Sequence, residues 1–504
     1  MSEQELKKAP RAATGVEGLD QILEGGLHPH RIYLLEGNPG TGKTTLALQF
    51  LLEGVRIGEQ GLYVTLSETR EELLDVAVSH GWSLEGLNIY DLSIPDENLS
   101  ADDHYTLFQP SEVELSETTR SIYAEVEKTK PKRIVFDSLS ELRLLAGDPL
   151  KYRRQILGLK QFFVGRKCTV LLLDDHTSET SDRQLESLAH GVITLEHNSP
   201  RYGAPRRRLR VLKLRGVRYR GGYHDFRILT GGIEVYPRIF AAANGGAVQR
   251  KVYSCGVVEL DALTGGGLDS GTATLILGPA GTGKSIIASR YVFEAAKAGA
   301  KSAYFTFDEA KSTFLGRSVS IGMDFQPYEM NGICTIRQVD PAELMPGEFA
   351  NLVREAVEKQ DTKIIVIDSL NGYCQSMPEE SFLGAHMHEL LSYLSSQNVV
   401  AIIVATQQGM FGTTMSQAID VSYLADTVVL LRYFEFSGEV RQAMSIVKKR
   451  SGNHERTLRE FRITSKGILV GKPLTEFRGV LTGVPEYLGG GQEKVKEAGA
   501  DETN

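Results

Sequence analysis

The chain of 504 residues holds one tryptophan, four cysteines and 17 prolines. The cysteines, Cys168, Cys255, Cys334 and Cys374, lie far apart and form no C-x-x-C pair or Cys/His cluster, which excludes a disulfide-stapled scaffold and a zinc module. Reduced, buried thiols in a cytosolic protein are expected. No stretch approaches the ~18 apolar residues that a membrane span requires, and the opening MSEQELKKAPRAATG lacks the apolar centre of a signal peptide. Basic charge is also short. Lys+Arg number 56 against 64 Asp+Glu, a net charge of -8, whereas dedicated nucleic-acid binders usually carry a net basic surface. What is plentiful is apolar content, 41% of residues, enough for each of two large domains to bury its own core.

Those domains are visible as a repeat, which has to be sought before any motif is interpreted. GVEGLDQILEGGL, from Gly15, returns as GVVELDALTGGGL from Gly256, and EGNPGTGKTTLA, from Glu36, as LGPAGTGKSIIA from Leu277. LYVTLSET is answered by AYFTFDEA, and RIVFDSLSEL by IIVIDSLNGY. Lys43 and Lys284, like Glu68 and Glu309, are 241 residues apart, whereas Asp137 and Asp368 are 231 apart, so a short deletion separates these landmarks. The expected division is 1–245 and 246–487, with a linker in Ala241–Lys251 and a polar tail over 488–504. Within each half, short Val/Ile/Leu runs alternate with amphipathic stretches, the pattern of a mainly parallel sheet flanked by helices. RIYLLEG, GLYVTL, RIVFD and CTVLLLDD read as strands of the first half, and ATLILG, SAYFTF, KIIVID and VVAIIVAT as strands of the second.

Gly37, Asn38, Pro39, Gly40, Thr41, Gly42, Lys43 and Thr44 fit G-x-x-x-x-G-K-[ST] between an apolar strand and a helix, the context that a P-loop requires. Gly278, Pro279, Ala280, Gly281, Thr282, Gly283, Lys284 and Ser285 repeat it. Glycines let backbone N–H groups curl around phosphates, and the following helix N-terminus, with Thr45 and Ile286 in its first turn, adds its positive end. One match alone could be an accidental glycine-rich turn; two in register are not. The lysines are assigned to the β- and γ-phosphates of ATP, and Thr44 and Ser285 to Mg²⁺. Asp137 and Asp368 each end an apolar strand at the carboxyl edge of the sheet, where they would complete the metal site. The fold class is therefore α/β, two tandem RecA-like P-loop domains. In such ATPases a carboxylate at the end of the next strand activates the attacking water, the place held by Glu68 and Glu309.

With the G-x-x-x-LD openings (Asp20, Asp261) and the late basic pairs Lys213/Arg215 and Lys448/Arg450, the chain resembles the KaiC family of ATPases and autokinases from about Gly15 to about Pro485. In that family two adjacent carboxylates follow the strand. Here the second half has Asp308-Glu309 and the first Ser67-Glu68, so the resemblance implies that Glu68 acts alone and that turnover is slow in both halves. The resemblance also implies a homohexamer with nucleotide at subunit interfaces, fingers Lys213, Arg215, Lys448 and Arg450 reaching a neighbour's nucleotide, and phosphorylation of Ser422, with Asp308 or Glu309 as base. Tyr423 stands where the family's second acceptor would be. It implies an output partner, a signalling protein whose identity the sequence does not reveal. Two other readings remain open. Arg206, Arg207, Arg208 and Arg210 could serve a DNA-dependent RecA/RadA-like ATPase, although a charged hairpin at a subunit interface accounts for them as well. A nucleotide-gated hexameric scaffold with little catalysis would fit Ser67.

Overall fold

The computed structural model describes residues 10–92, 110–175, 183–200, 203–240, 250–340, 342–375, 382–407, 423–465, 467–482 and 485–488. The chain forms two compact units, the first of Met1–Arg238 with Met345–Asn351 and the second of Ile239–Leu344 with Leu352–Asn504. The expected linker falls mostly on 241–249, and Ser422 and all but the first residue of the tail likewise lie outside the described residues.

The first unit is built on β1 (Ile32–Gly37), β2 (Gly61–Thr65), β3 (Leu87–Asp91), β4 (Arg133–Asp137), β5 (Thr169–Asp174), β6 (Gly191–Asn198), β7 (Arg206–Leu214), β8 (His224–Leu229) and β9 (Gly232–Tyr236). They form one sheet in the order β3-β2-β4-β5-β1-β6-β7-β8-β9. From β3 to β6 the pairing is parallel, and from β6 to β9 antiparallel. Every residue of β1, β2, β4 and β5 is buried, as expected where helices cover both faces of a parallel sheet. The period of two sends neighbours to opposite cores. Tyr33, Leu35, Leu171 and Leu173 pack with Leu46, Ala47 and Phe50 of the helix Lys43–Arg56, while Ile32, Leu34, Val170 and Leu172 pack with Ile156, Leu159 and Phe163 of the helix Pro149–Gly165.

In the second unit a two-residue pairing of β10 (Val252–Tyr253) with β11 (Leu268–Asp269) precedes the main sheet. That sheet comprises β12 (Ala273–Gly278), β13 (Ser302–Thr306), β14 (Cys334–Gln338), β15 (Ile364–Asp368), β16 (Val400–Thr406), β17 (Thr427–Phe436), β18 (Glu439–Lys449), β19 (Arg459–Thr464) and β20 (Gly467–Pro473). Its order, β14-β13-β15-β16-β12-β17-β18-β19-β20, matches that of the first sheet strand for strand. Even the register shift recurs, between Val192 and Ile193 in β6 and between Val428 and Val429 in β17. This is a tandem duplication of one RecA-like fold. All four cysteines are buried and free; burial pushes the Cys168 and Cys374 thiols up to about 11. No helix among the described residues is long and apolar enough to cross a membrane.

Candidate active site

Each P-loop joins the central strand of its sheet to a helix. A Cβ on Gly37 would meet Thr41 Oγ1 at 2.6 Å and the Leu195 carbonyl at 2.7 Å, so only glycine lets the loop leave β1 there. Gly42 and Gly283, at φ 101° and 91°, hold the left-handed conformation just before the helix that a side chain would strain. The hydroxyls of Thr41 and Thr282 donate to the carbonyls of Asn38 and Pro279, both at 2.8 Å, and stiffen the loop. Neither following helix, Lys43–Arg56 or Lys284–Lys297, has a side-chain cap or an acidic residue in its first turn. Their leading N–H groups and dipole are thus directed at a ligand, as an anion site needs. Lys43 Nζ folds onto the carbonyls of Gly37 (2.7 Å) and Asn38 (3.1 Å) and onto Asp175 (2.6 Å). Lys284 Nζ donates to the Pro279 carbonyl at 2.7 Å. Burial draws that ammonium down to about 8 against the charges of Asp368 and Asp308.

Beside each cradle is a hydroxyl and a buried carboxylate. Thr44 Oγ1 lies 3.5 Å from Asp137 Oδ2 and 3.4 Å from Glu68 Oε1; Ser285 bonds to Asp368. Tyr63 donates to Asp137 at 2.5 Å and Tyr304 to Asp368. Burial raises both aspartates' pKa, opposed first by these phenol hydrogen bonds. One hydroxyl and one carboxylate, both hard oxygen donors, suit Mg²⁺, which keeps waters and takes its other ligands from phosphate. The donor set fits the ion.

The two carboxylate loops differ. Thr65 Oγ1 donates to the Glu68 carbonyl (2.6 Å) and accepts from the Glu68 N–H (3.0 Å), and Thr306 holds Glu309 in the same way at 2.9 and 3.2 Å. The backbones match, yet the side chains diverge. Glu68 turns into the P-loop cleft. Its Oε2 is buried with no hydrogen-bond partner among the described residues, and burial together with the Asp137 charge pushes the carboxyl up to about 7. Glu309 is gripped by Arg317, Nε to Oε1 at 3.1 Å and Nη2 to Oε2 at 2.8 Å. Asp308 instead accepts from Ser369 and lies near enough to Lys284 to act on its charge.

The basic pairs are remote from the cradle of their own domain. Gly37 is level with Leu195, but Lys213 is level with Val192 and so with Leu34, about 10 Å back along the sheet at 3.3 Å per residue. Lys448 is level with Val428 and Leu275, equally far behind Gly278. Lys213 donates to the Glu186 carbonyl and Arg215 to that of Ser187 at 2.6 Å. Burial and the Arg215 charge hold the Lys213 and Lys160 ammoniums below the ordinary lysine value. Arg450 donates to the Tyr423 carbonyl at 2.7 Å and lies 3.6 Å from Asp426. The arginines of β7 are partly engaged: Arg208 and Arg210 cover the Tyr223 ring at 5.1 and 5.0 Å. With Asn38 and Glu196 they line an open cavity of about 510 Å³ beside the P-loop. Asp20 and Asp261 serve the frame, accepting from the N–H groups of Thr14 (2.8 Å) and Cys255 (2.9 Å).

A family model described as "ATPase: KaiC" matches residues 12–239 and again 253–475. The chain belongs to the KaiC ATPase family. Relatives in that family include the circadian clock oscillator protein KaiC of Parasynechococcus marenigrum, 26% identical over 493 residues, spanning 97% of this chain and 94% of that protein. The same-named protein of Thermostichus vulcanus is 27% identical over 493 residues, with 97% and 93% covered. That of Synechococcus elongatus is 26% identical over 485 residues, with 94% and 92% covered. The chain is thus a KaiC-family ATPase with two tandem nucleotide-binding domains.

Sequence reasoning missed several residues of these KaiC-type sites: Tyr63 and Tyr304, Thr65 and Thr306, Asp175, Lys160 and Arg317. The first four were within reach, because the repeat alignment places Tyr and Thr at the same offsets before Glu68 and Glu309. Asp175, Lys160 and Arg317 have no counterpart of like charge in the other half, so the repeat carries no signal for them.

Proposed function

We propose that the protein is a ring-forming, Mg·ATP-dependent ATPase whose subunits complete one another's sites, with serine autophosphorylation in the second domain. The observation that carries this reading is the separation, in each domain, of a complete phosphate and metal cradle from a cationic pair about 10 Å behind it on the same sheet. Cations so placed cannot serve the γ-phosphate of their own cradle, whereas an adjacent copy can present them to it.

In hydrolysis, Lys43 and Lys284 would leave their carbonyl and carboxylate partners for the β- and γ-phosphate oxygens. Thr44 with Asp137, and Ser285 with Asp368, would hold Mg²⁺, which supplies Lewis-acid neutralisation of phosphate charge when bound. Glu68 in the first domain, and Asp308 or Glu309 in the second, would orient the attacking water and accept its proton. Lys213, Arg215, Lys448 and Arg450 would stabilise charge on the transferred group from the neighbouring subunit, a contribution of roughly 10³ to 10⁵ in rate.

Phosphorylation of Ser422 is part of this reading. Arg450 donates to the carbonyl of Tyr423, the residue next to Ser422 in sequence, which supports an acceptor at the same interface as the proposed finger. There the Ser422 oxygen would bond to the γ-phosphorus as the bond to the β–γ bridging oxygen breaks, its proton passing to Asp308 or Glu309 and ADP leaving. Homohexameric assembly, the output partner and the consequences of phosphorylation belong to this reading. The DNA-dependent alternative gains little, since Tyr223 and Glu196 already occupy part of the basic strand.

Particle mass by light scattering with and without Mg·ATP tests the assembly: a nucleotide-dependent hexamer is expected, and a monomer under both conditions overturns it. Radiolabelled ATP followed by phosphopeptide mapping tests Ser422, with no label at that residue in the assembled protein as the refuting result.

A further inference from the structure

The two domains present their strand-end carboxylates differently, and the difference lies beside one position on the following helix. Helices Arg70–Ser79 and Lys311–Ser320 occupy equivalent places, and Arg317 on the second corresponds to Val76 on the first at the 241-residue offset shared by Lys43/Lys284 and Glu68/Glu309. Arg317 stacks over Phe314 at 5.3 Å and holds Glu309 with both ends of its guanidinium. Val76 is half-buried against the first domain's core and has no polar atom with which to hold Glu68. The Thr65 and Thr306 brackets present the two glutamates on matching backbones, so loop shape does not cause the divergence. Ser67, corresponding to Asp308, has no carboxylate, and it lies in the half where valine stands in place of the arginine that holds the other glutamate.

We propose that residues 76 and 317 select the water-activating carboxylate: Arg317 withdraws Glu309 and leaves the task to Asp308, whereas Val76 releases Glu68 to do what Ser67 cannot. Arg317 is thus a positioning residue. In each domain the water oxygen bonds to the γ-phosphorus while the bond to the β–γ bridging oxygen breaks. The selected carboxylate takes one water proton, and ADP leaves with the bridging oxygen's electron pair. This rests on the ATPase reading above.

The test uses the full-length chain with Mg·ATP, in two backgrounds that silence one cradle at a time. In Lys284→Ala, which reports the first domain, Val76→Arg is expected to lower kcat about 100-fold, the lower end of the range for loss of a general base, while KM for ATP moves less than about threefold. Adding Ser67→Asp should restore kcat to within a few-fold of the background. Val76→Met, similar in length but without charge, should keep turnover, which separates charge from bulk. In Lys43→Ala, which reports the second domain, Asp308→Asn should abolish turnover and Asp308→Asn with Arg317→Val should recover a measurable part through the freed Glu309. Unchanged kcat in Val76→Arg, or no recovery in either double variant while ATP binding and particle mass match the background, overturns the selection. No ATP turnover in the unsubstituted chain would instead overturn the ATPase reading itself, and this inference with it.

Discussion

After the strand that follows each P-loop helix, the chain makes the same turn twice and points the glutamate in different directions. At Glu68 the carboxylate enters a cleft that disfavours its charge, with Thr44 and Asp137 for neighbours. At Glu309 it is neutralised by Arg317. The strands carrying the basic pairs differ in the opposite sense: Lys213 and Arg215 are crowded by Lys160, whereas Arg450 already has Asp426 beside it. Two domains of one topology have therefore distributed charge differently, and a duplicated fold does not guarantee duplicated chemistry.

The comparison can be broken most severely at the basic residues proposed as fingers. Arg215→Ala and Arg450→Ala are each expected to lower turnover of the corresponding interface by roughly 10³-fold. Subunits carrying Arg215→Ala mixed with subunits carrying Glu68→Gln should regain activity, because some interfaces then hold an intact cradle and an intact finger. No recovery on mixing would place the finger in its own subunit.

Next in size are the phenols bonded to Asp137 and Asp368. Tyr63→Phe and Tyr304→Phe should weaken Mg²⁺ dependence of nucleotide binding by about tenfold, as loss of an outer-shell hydrogen bond does. A metal titration monitored by a fluorescent ATP analogue reports it. Equal effects are expected in the two domains, since both tyrosines are buried and bonded alike. A difference of more than a few-fold would extend the asymmetry to the metal site.

Asp175→Asn should sharpen the comparison at the cradle. Asp175 holds Lys43 at 2.6 Å, and the strand register puts uncharged Thr406 at the equivalent place in the second domain. Removing this competing carboxylate should tighten ATP binding in the first domain severalfold, by the modest energy of a partly exposed pair. Isothermal titration in the Lys284→Ala background would show it.

The smallest effect is on stability, and it should change sign between the domains. The Glu68 carboxyl stands at about 7 in the folded protein against 4.5 for an unperturbed glutamate. Its ionised form is therefore the disfavoured one: the penalty is absent below about pH 4.5 and complete above about pH 7. Glu68→Gln should raise the melting temperature of the nucleotide-free protein at pH 8 and leave it unchanged near pH 4. Glu309→Gln at pH 8 should lower it by about 2–4 °C, because Arg317 loses a charged partner. Equal shifts from the two variants would contradict the difference in their surroundings.

Much of this molecule was legible in the sequence. The repeat, the P-loops and the eight apolar runs that became β1, β2, β4, β5, β12, β13, β15 and β16 rest on periodicity and glycine placement, which act locally. The antiparallel halves, β6–β9 and β17–β20, were legible only as late basic strands, because their half-exposed residues carry a weaker apolar signal. Asp308 and Glu309 read alike on the page as a carboxylate pair. Only the tertiary structure sends one to Ser369 and the other to Arg317, since the helix bearing Arg317 must fold back across the strand end before the guanidinium can reach. The sequence by itself determined that there are two P-loops and where in each half they fall. Which carboxylate faces each cradle was decided by packing, because charge pairing depends on distances of a few ångströms that residue order does not encode.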